Sequence, residues 1–264
     1  MSGSVVFVTT ESTQPTMGAR QRAATHGRAR AWFYCGMSGV LLLIVLAGFG
    51  RTFYLRALFD VPHIPAYLLV HGAVLTAWFA GLFLQAVLVS VRRTSIHRRL
   101  GWVVGGVGLA VVAISGAVTL NFVPRQRALG VAIDAGLAGL SQVVWTDLAA
   151  LVVFSVFLAA GVLLRRRPQW HKRLMLLASI SIVSPAMGRM WRLVPVLNGL
   201  NSTLLTLGAL LLLLVGLALY DVFSLRRVHP ATLAGGAFFI GLRTFAAFVI
   251  ANSDFGHSFV RGLG

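Results

Sequence analysis

The amino-acid sequence predicts an all-α integral membrane bundle of seven transmembrane helices around a four-helix core of two parallel-repeated hairpins. Three observations carry this. Of 264 residues 58% are hydrophobic and only 11% charged, less than half the roughly 25% charged share of a soluble domain. The apolar residues gather in blocks of about 20, the length that crosses a hydrocarbon core about 30 Å thick. The basic residues stand between those blocks, where Lys and Arg hold loops on the cytoplasmic side of a membrane. An ordinary soluble enzyme, a disordered chain and a nucleic-acid-binding domain are excluded. A disulfide scaffold is excluded too, because Cys35 is the single cysteine. The net charge of +17 is therefore a topology code. The expected partner is the lipid bilayer of a bacterial plasma (inner) membrane, with no nucleic acid, and the sequence leaves the oligomeric state open.

Residues 1–30 read as a mobile basic cytoplasmic arm. Its short apolar run, Val5 to Val8, precedes its charges, the reverse of a cleavable signal peptide. The transmembrane domain, residues 31–251, follows. Span 1 is Ala31 to Gly50, and span 2, Ile64 to Val91, is long enough to tilt. Span 3, Leu100 to Leu120, carries Gly105, Gly106, Gly108, Ser115 and Gly116 as small faces for close packing. Span 4 is Val143 to Leu164. Span 5, Arg173 to Trp191, should kink because Pro185 cannot donate to the carbonyl of Ser181. Span 6, Ser202 to Tyr220, is almost pure Leu and is expected to line the lipid. Span 7, Ala231 to Ala251, starts after Pro230, has a small face at Gly235 and Gly236, and is interrupted by Arg243. Residues 252–264 read as a short external tail.

Fifteen cations fall before span 1 or in the loops 2–3, 4–5 and 6–7, against seven on the opposite side. The positive-inside rule places the N-terminus in the cytoplasm and the C-terminus outside. Trp32, Trp102 and Trp170 at one face and Trp145 and Trp191 at the other agree, since indole rings prefer the headgroup level. Trp78 alone lies in mid-span.

An internal repeat is the most specific feature. Arg92-Arg93-Thr94-Ser95-Ile96-His97-Arg98-Arg99-Leu100 aligns with Arg166-Arg167-Pro168-Gln169-Trp170-His171-Lys172-Arg173-Leu174 at an offset of 74 residues. Both follow R-R-x-x-x-H-[RK]-R-L. Each copy joins an inward to an outward span, so spans 2 and 3 form one hairpin and spans 4 and 5 a parallel second one. The plainer alternative is convergence of two basic turns.

Together with Val70-His71-Gly72-Ala73 and Val228-His229-Pro230-Ala231-Thr232, the two repeat segments resemble those of a family of polytopic bacterial membrane proteins that brings no established activity. The resemblance covers scattered blocks from about Ile64 to Thr232. A fainter similarity is to transmembrane cytochromes b, which implies haem b held between histidines.

From the residues themselves, a bis-histidine haem needs two neutral imidazoles at matching depth on facing helices. Only His97 and His171 meet that condition, and neighbouring arginines could pair with propionates. The other reading is a pair of solvated histidines in basic turns. A second candidate site is an outer-leaflet polar pocket. His71, Trp78 and Gln85 recur at seven-residue spacing on span 2, a polar stripe expected to face the bundle interior. Asp147, Arg189 and Arg243 fall in the same leaflet by helical rise. Asp147 is the one carboxylate clearly inside a predicted span, so its charge should pair with Arg189 or Arg243, with His71 adjacent. The pocket would take a proton, small solute or quinone headgroup, or the charges would only pin helices together. No G-x-S-x-G, P-loop or H-x-x-x-H spacing is present. The expectation is a non-enzymatic membrane protein with no catalytic residues and no metal ligands, either a small transporter or an assembly and interaction factor. A haem- or quinone-linked electron-transfer protein is the alternative.

Overall fold

The structure, a computed structural model, describes residues 17–61, 63–194, 196 and 199–264, with side chains from Trp32 onward. Those residues form an all-α bundle with no strand. The order is α1 (Met17–Phe49), closing in a π-helical turn (Gly50–Tyr54), then α2 (Ala66–Ser90), α3 (Thr94–Leu120), α4 (Phe122–Ala128), α5 (Ile133–Leu163), α6 (Pro168–Ser181), α7 (Ser184–Trp191), α8 (Ser202–Leu225), α9 (Pro230–Phe248) and α10 (Asp254–Leu263). Among the described residues six helical segments are each long and apolar enough to cross a membrane, and α6 with α7 makes a seventh, bent by 45°. The chain is a multi-pass membrane protein by these lengths.

The bend has the cause read from Pro185. A proline ring clashes with the carbonyl four residues back, and that residue, Ser181, is the last of α6. Ser181 then turns its hydroxyl to the carbonyls of Ala178 at 2.7 Å and of Ala150 on α5 at 3.3 Å, which ties the break to its neighbour.

The two expected hairpins are present as α2 against α3 and α5 against α6, with α3 packed on α5. They meet at Trp78, which is fully buried. Its indole N–H donates to Ser179 Oγ on α6 at 3.1 Å, and its ring lies edge-on to Phe154 of α5, with centroids 4.9 Å apart. From α3, Gly108 permits the approach, since a Cβ there would sit 2.8 Å from both the Trp78 ring and Leu158. Without water to drive burial, such close packing is what associates helices in a bilayer. Gly235 does the same for α9, where a Cβ would come within 2.7 Å of Leu177. Gly105 and Gly106 meet nothing within 4 Å and face outward.

Several boundaries differ from the sequence expectation. α1 begins at Met17, so the basic stretch assigned to an arm forms the first turns of the helix that becomes span 1; residues 1–16 lie outside the described residues. α5 starts ten residues before Val143. At about 46 Å by helical rise it outruns the hydrocarbon core. Its extra turns bury Ile133, Leu137, Leu140 and Val144 against Val123 of α4 and Val260 of α10. The expected tail is thus the amphipathic helix α10, started by Ser253 Oγ accepting from Gly256 N at 3.0 Å and fixed to α5 by Trp145. α8 runs past Tyr220 to Leu225. It does not simply line lipid, because Thr206, Leu210, Leu217 and Asp221 are buried.

Candidate functional site

At the end of the bundle where α2 turns into α3 and α5 into α6, the repeat brings His97 and His171 together. Both are half-buried, with ring centroids 6.3 Å apart and planes at 85°. His97 Nδ1 lies 3.3 Å from the carbonyl of Gln85 on α2, and His171 Nδ1 lies 2.8 Å from the carbonyl of Gly161 on α5. Each outgoing helix therefore anchors its histidine on the incoming helix of its own hairpin. A carbonyl only accepts, so each Nδ1 carries the proton and, in the neutral ring, each Nε2 keeps its lone pair. That is how metal-ligating histidines are oriented.

The donor set decides which metal group would fit. No cluster of three or more His, Cys, Asp or Glu able to hold a metal ion occurs among the described residues. Two nitrogens leave a tetrahedral zinc site half empty. They would suffice for a porphyrin iron, which needs few ligands from the protein. Arg98, Arg99, Arg166 and Arg167 are exposed around the pair, and Arg165 lies over the Trp102 ring at 5.7 Å. Guanidinium groups so placed suit carboxylates bidentately.

Beside this pair lies an ionic network that the sequence reading missed. Arg173 and Asp221 are both fully buried and bonded to each other, with Arg173 Nε 3.0 and 3.2 Å from the two carboxylate oxygens. Arg173 Nη1 also donates to the main-chain and side-chain oxygens of Gln169, each at 2.8 Å. Asp221 accepts further from Thr232 Oγ1 at 2.5 Å and from His229 N at 3.1 Å. This locks α6, α8 and α9 into one unit. His229 caps α9 through Nδ1, which accepts from Ala231 N at 3.1 Å, and its ring meets Trp170 edge-on at 5.2 Å. Burial holds the His229 imidazole below its ordinary range, and the cations Arg173, Arg227 and Lys172 push the same way against Asp221. In the sequence Arg173 reads as a loop cation, and Asp221 stands one residue beyond the predicted end of span 6.

The expected outer pocket is not assembled as read. His71, Trp78 and Gln85 share a face but not a site. Trp78 belongs to the core, and Gln85 sits beside the histidine pair, where its Nε2 donates to His97 O at 3.1 Å. His71 alone remains at the far end, its Nδ1 buried and without a hydrogen-bond partner. The pairing of Asp147 is corrected likewise, since no ion pair within 4.0 Å among the described residues includes it. Arg243 instead reaches the break between α6 and α7, donating to Ser184 Oγ at 3.3 Å. Arg189 donates to Pro185 O at 3.1 Å and lies over the Phe49 ring at 4.4 Å. Asp147 still lies within electrostatic range of both arginines, and His71 within range of Arg189. Rise along a helix brought these residues within range of one another. It did not fix their direction around the axis.

Comparison with protein-family models, with curated proteins and with solved structures finds no match. The functional reading rests on the residues.

Proposed function

We propose that this chain is a plasma-membrane electron-transfer protein that holds one b-type haem between His97 and His171. One observation carries the reading: two histidines from two copies of one motif stand 6.3 Å apart, each with Nδ1 on a carbonyl of its own hairpin. The carbonyls of Gln85 and Gly161 fix the tautomer and the ring planes, leaving the two Nε2 atoms as ligands. The exposed arginines of both turns would balance propionate charge. When bound, haem supplies a one-electron couple whose potential depends on the ligands, burial and nearby charge. The surrounding cations favour the more negative, reduced state. The test is haem content per chain after purification from haem-supplied cells. Close to one haem is expected, lost in both His97→Ala and His171→Ala; equal haem in the wild type and both variants would refute the site.

With Arg173 set aside as the buried partner of Asp221, fourteen cations against seven support a cytoplasmic N-terminus and an external C-terminus, and with them a cytoplasmic histidine pair. A second reading, a small carrier or assembly factor working through the outer polar groups, is favoured by Arg243. It is 7% exposed and turns to Ser184 at a broken span, the kind of helix break where transporters place substrate sites. A colourless preparation with unchanged stability in the histidine variants would favour it.

A further inference from the structure

At the opposite end from the histidine pair, an open groove of about 670 Å³ runs between α2 and α3 and is closed at its mouth by α4. Its walls are Val70, Ala113, Ile114, Ala117 and Val118, and its mouth holds Tyr67, Asn121 and Arg125. Ala113 and Ala117 are exposed, as is Val70, so the groove opens on the surface that faces lipid. Their small side chains are what hollow it. From Ala113 to Asn121 the groove runs about 12 Å along α3, from the interfacial turn toward the middle of the bilayer.

The mouth carries a cation, Arg125. No hydrogen bond or ion pair among the described residues engages the Arg125 guanidinium. The carboxylate nearest in sequence, Asp134, is taken by Arg261 at 3.0 Å. A guanidinium at headgroup level over an apolar channel is complementary to a phosphate on an acyl chain.

We propose that this groove holds one glycerophospholipid, its phosphate on Arg125 and one acyl chain along Ala117 and Ala113. The inference is independent of the haem reading. Native mass spectrometry of the full chain in neutral maltoside detergent, titrated with phosphatidylglycerol, tests it. One tightly held lipid is expected. Arg125→Gln should weaken it about tenfold, the usual worth of a charged hydrogen bond, and Arg125→Lys should largely restore it. Ala117→Phe should abolish it by filling the channel at an exposed position that the core does not use. Arg92→Gln, at the other end, should leave it unchanged, and diacylglycerol, which lacks the phosphate, should bind at least tenfold more weakly. A wild type that retains no lipid, an Arg125→Gln or Ala117→Phe variant that binds as wild type does, or diacylglycerol equal to the phospholipid would each overturn the proposal.

Discussion

Replacing Asp221 by Asn should be among the most destabilising single changes in the bundle. Asp221 receives Arg173 Nε at 3.0 and 3.2 Å, Thr232 Oγ1 at 2.5 Å and His229 N at 3.1 Å, and neither it nor Arg173 has any exposed surface. Asparagine keeps one acceptor oxygen and turns the other into an NH2 donor. Either the guanidinium or the Thr232 and His229 donors then lose their acceptor, and Arg173 keeps a full charge with no counter-ion. Leaving a buried ion uncompensated costs about 3 to 5 kcal/mol. Thr232→Val removes one bond and should cost about 1.5 to 3 kcal/mol. The assay is reversible unfolding in mixed micelles on increasing the fraction of denaturing detergent. The double variant Arg173→Met with Asp221→Leu removes both charges and should be milder than Asp221→Asn alone, because paired burial is nearly balanced by its own desolvation. If Arg173→Met and Asp221→Leu made singly simply add in that double variant, the two residues do not interact and the network is refuted.

Gly108→Ala should cost about 1 to 3 kcal/mol through overpacking against Trp78 and Leu158, whereas Gly105→Ala should be neutral or stabilising; thermal melts that rank the two the other way would contradict the core packing. His229 has a folded-state pKa below its unfolded value of about 6.5. The unfolded chain therefore takes up the proton first, and stability present above about pH 6.5 is lost as pH falls through that value. His229→Asn keeps a capping acceptor and should flatten that part of the decline, while an unchanged pH profile would remove His229 from the account. Reporter fusions after Arg93 and Arg167 should behave as cytoplasmic and a fusion at Gly264 as external. A cytoplasmic Gly264 would mean that the bent pair α6 and α7 does not cross.

The helices were legible because membrane thickness sets a length that composition reveals directly. Where length was not the deciding quantity the reading failed. α5 begins at Ile133 because Leu137, Leu140 and Val144 recur on one face, a stripe that the polar residues Asp134, Ser141 and Gln142 hide from a hydropathy window. α10 is too short to register in such a window, and its mark was the spacing of Gly256 and Val260 behind the capping Ser253. Asp221 was lost because a Leu-rich segment was closed one residue early. The histidine pair was legible because both copies of R-R-x-x-x-H-[RK]-R-L set their histidine in the first turn of an outgoing helix. The partners of Asp147 were not, because spacing along one helix says nothing about which way a neighbouring helix turns.

Haem held by His97 and His171 is read out by the reduced-minus-oxidised absorption spectrum of the purified full chain from haem-supplied cells. A strong Soret band with the sharp visible bands of low-spin six-coordinate haem is expected, absent from both His97→Ala and His171→Ala, since a six-coordinate iron needs both ligands. A wild type with no Soret band, or a low-spin spectrum that survives either substitution, would contradict it.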